Sequence, residues 1–267
     1  MAKLNLSIET VADWDNLRYT INKYFAHWPE YIFRGQAQDD WLLESTLSRA
    51  LKNIKYKNKN ELVSQHLKNF TLEIRGRRGQ NPRQLIESEV WALGQHNGLF
   101  TPLLDWTESP WVAVFFALTN TEKSDTGNRV LWALHKSDIE KINKLYKQKN
   151  KDYKKWTVEL IEPTIDENSR LVNQRGLFTK IDTSNDIEKW VTKSPRYGNW
   201  VTLYKIIFPD TLRQKALSYL NLMNINYSSL FPDLYGSSKN TNIKLLLTDY
   251  IDERKTMDWD GTIEDEE

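Results

Sequence analysis

Eight consecutive residues without a polar side chain, Trp111-Val112-Ala113-Val114-Phe115-Phe116-Ala117-Leu118, constrain this chain more than any other stretch. Ser109 and Pro110 stand directly before them. Ser caps free helical N–H groups, and Pro suits the first helical turn, where its missing N–H costs nothing. The run therefore reads as a helix, and a helix apolar on every side is buried. The polar segment 95–108 that feeds it reads as a loop carried inward, so its buried polar groups need partners.

The remaining chain should supply those partners. Residues 10–26 read as an amphipathic helix, with Trp14, Leu17, Ile21, Tyr24 and Phe25 in phase and a capping box at Thr10 and Asp13. Residues 31–35 (YIFRG) read as a short strand, 42–51 as a loop or short helix, and 60–75 and 87–95 as helices. Residues 129–134 (RVLWAL) read as a buried strand, and Ser137 as the cap of a helix over 138–149. Strands are expected at 157–162 and 200–208, and residues 168–181 contain a polar turn, 174–179, entering another strand. Helices are expected at 211–223 and 243–251, with a compact turn between them at 228–236. The parts divide into an N-terminal helix (1–28), a main domain (29–251) and an acidic tail (252–267).

Net charge is +1, from 37 basic and 36 acidic residues, so no global field favours nucleic acid. A local basic segment, Arg75 to Arg83, reads either as a solvated loop or as a phosphate-contacting one. The absence of cysteine excludes disulfides, thiol catalysis and cysteine metal sites, and fits a cytoplasmic protein. Four scattered histidines give no metal-binding spacing, so no metal is expected. The N-terminal residues lack a signal-peptide pattern and the longest apolar run is too short to span a bilayer, so no membrane association is expected.

Three fragments resemble the FRG domain family: Phe33-Arg34-Gly35, the block from Gln95 to Thr107 (QHNGLFTPLLDWT), and Gln174-Arg175-Gly176-Leu177-Phe178. The turn Leu230-Phe231-Pro232-Asp233-Leu234 is similar to that family's C-terminal end. Pro102 departs from the pattern, standing where the family more often has a basic residue. More distantly, the fragments resemble ADP-ribosyltransferases. That likeness implies an α+β fold with a mixed or antiparallel, split β-sheet flanked by helices, and NAD as substrate. It also implies catalytic roles among Arg34, His96, Asp105 and Gln174, and NAD contacts from Arg34, Gly35, Thr107, Ser109 and Phe178. The Gln at 174 departs from the Glu of that type, because an amide orients a ligand but supplies neither base nor counter-charge. Asp105, Glu89 and Glu162 are the carboxylates considered to fill that role.

Such a protein would be a bacterial toxin or antiviral defence effector, modifying a nucleic-acid or protein acceptor. The other function class is a module that binds a nucleotide or nucleic acid without turnover. A third is a scaffold. Each residue also has a structural reading. Arg34 and Asp105 can form a buried ion pair, His96 can serve packing, Thr107 can start a turn and Gln174 can satisfy buried backbone groups. A pocket joining Arg34, His96, Asp105 and Gln174 would favour an enzyme, a continuous basic face through Arg75, Arg77 and Arg78 a nucleic-acid module, and a cavity-free ion pair a scaffold.

Overall fold

The computed structural model describes residues 5–27, 29–120, 123–149, 151–162, 169–194 and 201–247. Within them, strands β1 (Leu6–Thr10), β2 (Tyr31–Gln36), β3 (Leu103–Thr107), β4 (Asn128–His135), β5 (Glu159–Ile161), β6 (Gly176–Lys180) and β7 (Leu203–Pro209) form a mixed sheet in the order β1-β7-β4-β2-β3-β6-β5. Only β1 and β7 pair in parallel; the other neighbours are antiparallel. The fold is α+β. The expected acidic tail at 252–267, Trp200, and the end of the last helix at 248–251 lie outside the described residues.

The apolar run is helix α5 (Pro110–Thr119), with Pro110 as its first residue and Ser109 Oγ accepting from Val112 N at 3.4 Å. Val112, Ala113, Val114, Phe115, Ala117 and Leu118 are buried, while Trp111 and Phe116 keep partial exposure at its margins. α5 lies on one face of the sheet with α1 (Trp14–Phe25) and α9 (Arg213–Leu222), packed on Tyr31 and Phe33 of β2, Leu131 and Ala133 of β4, and Ile206 and Phe208 of β7. The alternate residues Ile32, Val130, Trp132 and Leu134 face the other side, where α6 (Ser137–Lys149) and α8 (Ile187–Lys193) cover them. The period-2 pattern of these strands thus serves two cores at once. A third cluster joins Leu47 and Leu51 of α2 (Thr46–Lys52) and Trp91 of α4 (Glu87–His96) to Leu103 and Phe178. Helix α3 (Lys59–Glu73) rests on it with half-buried side chains only.

The sheet meets α5 through Gly35. A Cβ on Gly35 would lie 1.8 Å from the Ala113 carbonyl oxygen and 2.7 Å from Ala117 N. Strand and helix therefore touch backbone to backbone, as only glycine permits. Nearby, Arg129 of β4 is fully buried. It ion-pairs with Asp210, donates to the Ala117 carbonyl, and donates to the Asn120 carbonyl at 3.1 Å. The last carbonyls of α5, which lack intrahelical partners, are thus satisfied by a buried cation.

Several expectations are corrected. Thr10 ends strand β1 and does not cap a helix; Asp13 is the cap, accepting from Asn16 N at 2.8 Å. Five residues of strand directly before a helix are too few for periodicity to separate the two. The segment 95–108 is not a loop throughout: residues 103–107 form β3, in which Leu103, Leu104, Trp106 and Thr107 are buried and only Asp105 is exposed. Ser137 is itself the first residue of α6, and its hydroxyl donates to Glu30. The last helix, α11 (Leu234–Leu246), starts inside the segment read as a compact turn, with Asp233 as its cap. That turn itself holds the short helix α10 (Tyr227–Leu230).

Gly35→Ala is expected to lower unfolding free energy by about 3 kcal/mol through overpacking against α5, measured by urea denaturation. A loss below about 1 kcal/mol would mean that the helix moves away freely.

Candidate functional site

The centre of the sheet is where β2 and β3 part. Their register runs through a single pair, Phe33 with Thr107. Beyond it, toward Gln36 and Leu103, each strand continues with its outer neighbour, β4 or β6, and a gap opens between them. Arg34 fills the gap. Its Nη1 donates to the Asp105 carbonyl oxygen at 2.8 Å, satisfying a β3 carbonyl on the side where the ladder stops, and lies 3.5 Å from Asp105 Oδ2.

The gap forms a cavity of about 330 Å³ lined by Phe33, Arg34, Gly35, Asp105, Trp106, Thr107, Ala113, Phe116 and Gln174. Arg34 and Asp105 are not a sealed ion pair, because the Asp105 side chain is 57% exposed and Arg34 20%. Arg34 Nε is buried without a hydrogen-bond partner among the described residues. A guanidinium grips an oxyanion with two parallel N–H groups. Nη1 is engaged with Asp105, which leaves the Nε–Nη2 edge for a ligand. Burial holds the Arg34 pKa below its usual value, opposed by the Asp105 charge and reinforced by the like charge of Arg49. An anion in the cavity would offset that desolvation.

Asp105 is oriented by Gln95. Gln95 Nε2 donates to Asp105 Oδ2 at 2.9 Å, and the buried Thr101 hydroxyl donates to Gln95 Oε1, which fixes the amide. The family resemblance counts His96 among the catalytic residues and gives Gln95 no role. Helical spacing carried the better signal: Gln95 lies four residues after buried Trp91 and shares its face, whereas His96 is turned outward and exposed. His96 does not line the cavity. Partial burial and the charge of Arg170 hold its pKa below the usual value, with Asp233 opposing.

Thr107 and Gln174 close the inner end. The Thr107 hydroxyl donates to the Gln174 carbonyl at 2.6 Å and accepts from Ser109 N at 3.1 Å. Gln174 follows α7 (Ser169–Asn173), and its Nε2 donates to the Leu230 carbonyl at 3.1 Å. Arg175, at φ 47°, turns the chain into β6. Of the remaining residues expected to contact NAD, Gly35 lines the cavity, Ser109 caps α5, and Phe178 is buried in the third core cluster. Glu89 bonds Arg83 and Ile86 N, and Glu162 lies 3.8 Å from Lys136, so neither lines the cavity. Asp105 is the carboxylate that does so among the described residues.

A latch backs Gln174. Arg170 of α7 donates through Nε to Asp233 Oδ2 at 2.8 Å and lies over the rings of Phe231 and Tyr235. In the basic segment, Arg75 and Arg77 are exposed, Arg78 Nη1 donates back to the Arg83 carbonyl at 2.9 Å, and none of these lines the cavity. Among the described residues no group of His, Asp and Glu could hold a metal ion, and no helix is long and apolar enough to cross a membrane.

This geometry defines an α+β domain whose split sheet presents an arginine edge beside an oriented carboxylate. The family model of the FRG domain matches residues 29–126, so the chain carries an FRG domain. The match spans β2 through α5, and with them Arg34, Gln95, Asp105 and Thr107; β4 to β7, Gln174 and the latch lie beyond it and complete the same sheet. Neither the curated proteins nor the solved structures yield a match.

Asp233 has a lowered pKa, first through its bond from Gly236 N and then through Arg170. Its contribution to stability is therefore complete above its ordinary value of 3.8 and is lost as pH falls through the lower folded value. The stability difference between wild type and Asp233→Ala should be flat near neutrality and close below that pH in thermal melts. A difference that widens in acid would show that the carboxylate is not what closes the latch.

Proposed function

We propose that the cavity binds the diphosphate-bearing part of a nucleotide, NAD, and that the protein is an ADP-ribosyltransferase-like enzyme. The observation that carries this is the buried, unpartnered Nε of Arg34, a residue lining a cavity that also holds an oriented carboxylate. Support also comes from convergence. The Phe-Arg-Gly strand, the Asp-Trp-Thr strand and the Gln-Arg-Gly turn, far apart in sequence, meet at one gap. Arg34 grips a phosphate bidentately. Asp105, held by Gln95, faces the sugar as its bond to nicotinamide breaks and stabilises the cationic centre left behind. It then accepts the proton of the attacking acceptor. Gln174 orients the ribose. Such an activity would suit a bacterial toxin or antiviral defence effector.

One observation favours a second reading. Gln174 presents an amide where the transferase resemblance calls for a carboxylate, and Asp105 is half-open to solvent. With the counter-charge weakened in this way, the cavity would bind a nucleotide without turning it over.

The test is NAD binding by calorimetry and nicotinamide release by chromatography, with each variant first shown to be folded by circular dichroism. Wild type should bind NAD, and Arg34→Ala should weaken binding roughly tenfold or more, the worth of a charge-assisted hydrogen bond. Asp105→Asn should retain binding and lose nicotinamide release, and Gln174→Glu should raise it. NAD bound but never cleaved would select the second reading. Failure of folded wild type to bind NAD would end both readings for this ligand.

A further inference from the structure

A second, larger cleft adjoins the cavity and shares Arg34, Gly35 and Phe116 with it. It is an open trough of about 740 Å³ running from β2 to α11. Three cations line it: Arg34, Arg49 of α2 and Lys239 of α11. Among the described residues none that lines it is acidic, on a chain whose charges nearly balance. Arg49 donates to the Glu44 carbonyl at 3.0 Å, while the Glu44 carboxylate is taken by Lys52. No ion pair among the described residues neutralises Arg49 or Lys239; Lys239 lies 5.7 Å from the Tyr235 ring centroid instead. Arg34 has Asp105 beside it, so Arg49 and Lys239 are the two cations an incoming anion would neutralise.

The trough also offers ring faces. Trp41 is 50% exposed and stacks on no other ring among the described residues, although tryptophan is among the most costly side chains to leave in water. Tyr227 and Phe116 lie along the same wall. Basic groups along an open groove with a free tryptophan face suit a chain that alternates phosphates with flat bases. Duplex nucleic acid keeps its bases stacked on one another and offers no free ring face to Trp41. An acidic peptide would use the cations and leave the tryptophan idle.

We propose that this trough is a binding site for single-stranded nucleic acid, with an unpaired base on Trp41 and backbone phosphates on Arg49 and Lys239. The strand passes the mouth of the inner cavity at Arg34. The site is independent of whether the inner cavity cleaves NAD, and its test uses no NAD.

The experiment is fluorescence anisotropy with the full chain and a labelled mixed-sequence single-stranded oligonucleotide, as DNA and as RNA. The same sequence as duplex, and poly-glutamate, serve as competitors. Wild type should bind the single strand at low salt, weaken as salt rises, and resist both competitors. Trp41→Ala should weaken binding about tenfold, the scale of one lost base stack. Combined Arg49→Ala and Lys239→Ala should weaken it at least as much and flatten the salt dependence. Arg75→Ala with Arg77→Ala should leave it unchanged. Because Lys239 lies on the surface of α11, Lys239→Glu gives a second variant that keeps the fold and should also weaken binding. The proposal is overturned if wild type ignores the single strand. It is equally overturned if duplex or poly-glutamate competes as well as the strand itself, or if the Arg75 and Arg77 variant abolishes binding while the trough variants do not.

Discussion

The structure depends on the contact between Gly35 and the backbone of α5. With no side chain between them, the helix lies closer to β2 than any other residue would allow. That closeness buries Ala113 and Ala117 completely, on a helix whose start is set by the Ser109 cap and Pro110. Ser109 N fixes the Thr107 hydroxyl, which in turn holds the Gln174 carbonyl. The close-packed helix is thus tied, through two hydrogen bonds, to the inner end of the cavity. Arg129 secures the far end of the same helix by taking its last carbonyls.

The second determinant is the interrupted ladder between β2 and β3. Sheets rarely leave backbone carbonyls unpaired in their interior, because each unpaired buried group carries a desolvation penalty. Here Arg34 meets the Asp105 carbonyl. The side chain that stabilises the gap is therefore the one that presents charge to it. The same atoms account for the fold and for the chemistry available there, which is why Arg34 cannot be assigned to either alone. Its partial exposure and the openness of Asp105 set this arrangement apart from a buried structural ion pair, whose two charges would satisfy each other.

Much of the fold was legible because it rests on local rules. The Ser-Pro start and apolar run specify α5, and the alternation in residues 129–134 specifies a strand covered on both faces. Phe33-Arg34-Gly35 reads as a strand end needing a close approach, and the approach is α5. What was missed lies where short elements meet. β1 and β3 have five residues each, too few for a period to show, and the tail of α4 was judged by the chemical reputation of histidine over helical phase. Gln95 stood in the same motif, one residue earlier, on the face that points inward.

By itself, the sequence determined the longer elements, the buried helix, the near-neutral overall charge and the FRG signature, because propensity, capping and periodicity act within a few residues. Only the tertiary structure decided that β2 and β3 part after one pair. It alone decided that Gln95 and not His96 holds Asp105, and that Lys239 of α11 comes to line the same trough as Arg34 and Arg49. Those outcomes follow from how strands order in the sheet and which helices cover them. Burial and electrostatics act there between different elements, from ten positions apart at Gln95 and Asp105 to more than a hundred at Arg49 and Lys239, where no local pattern in the chain records them.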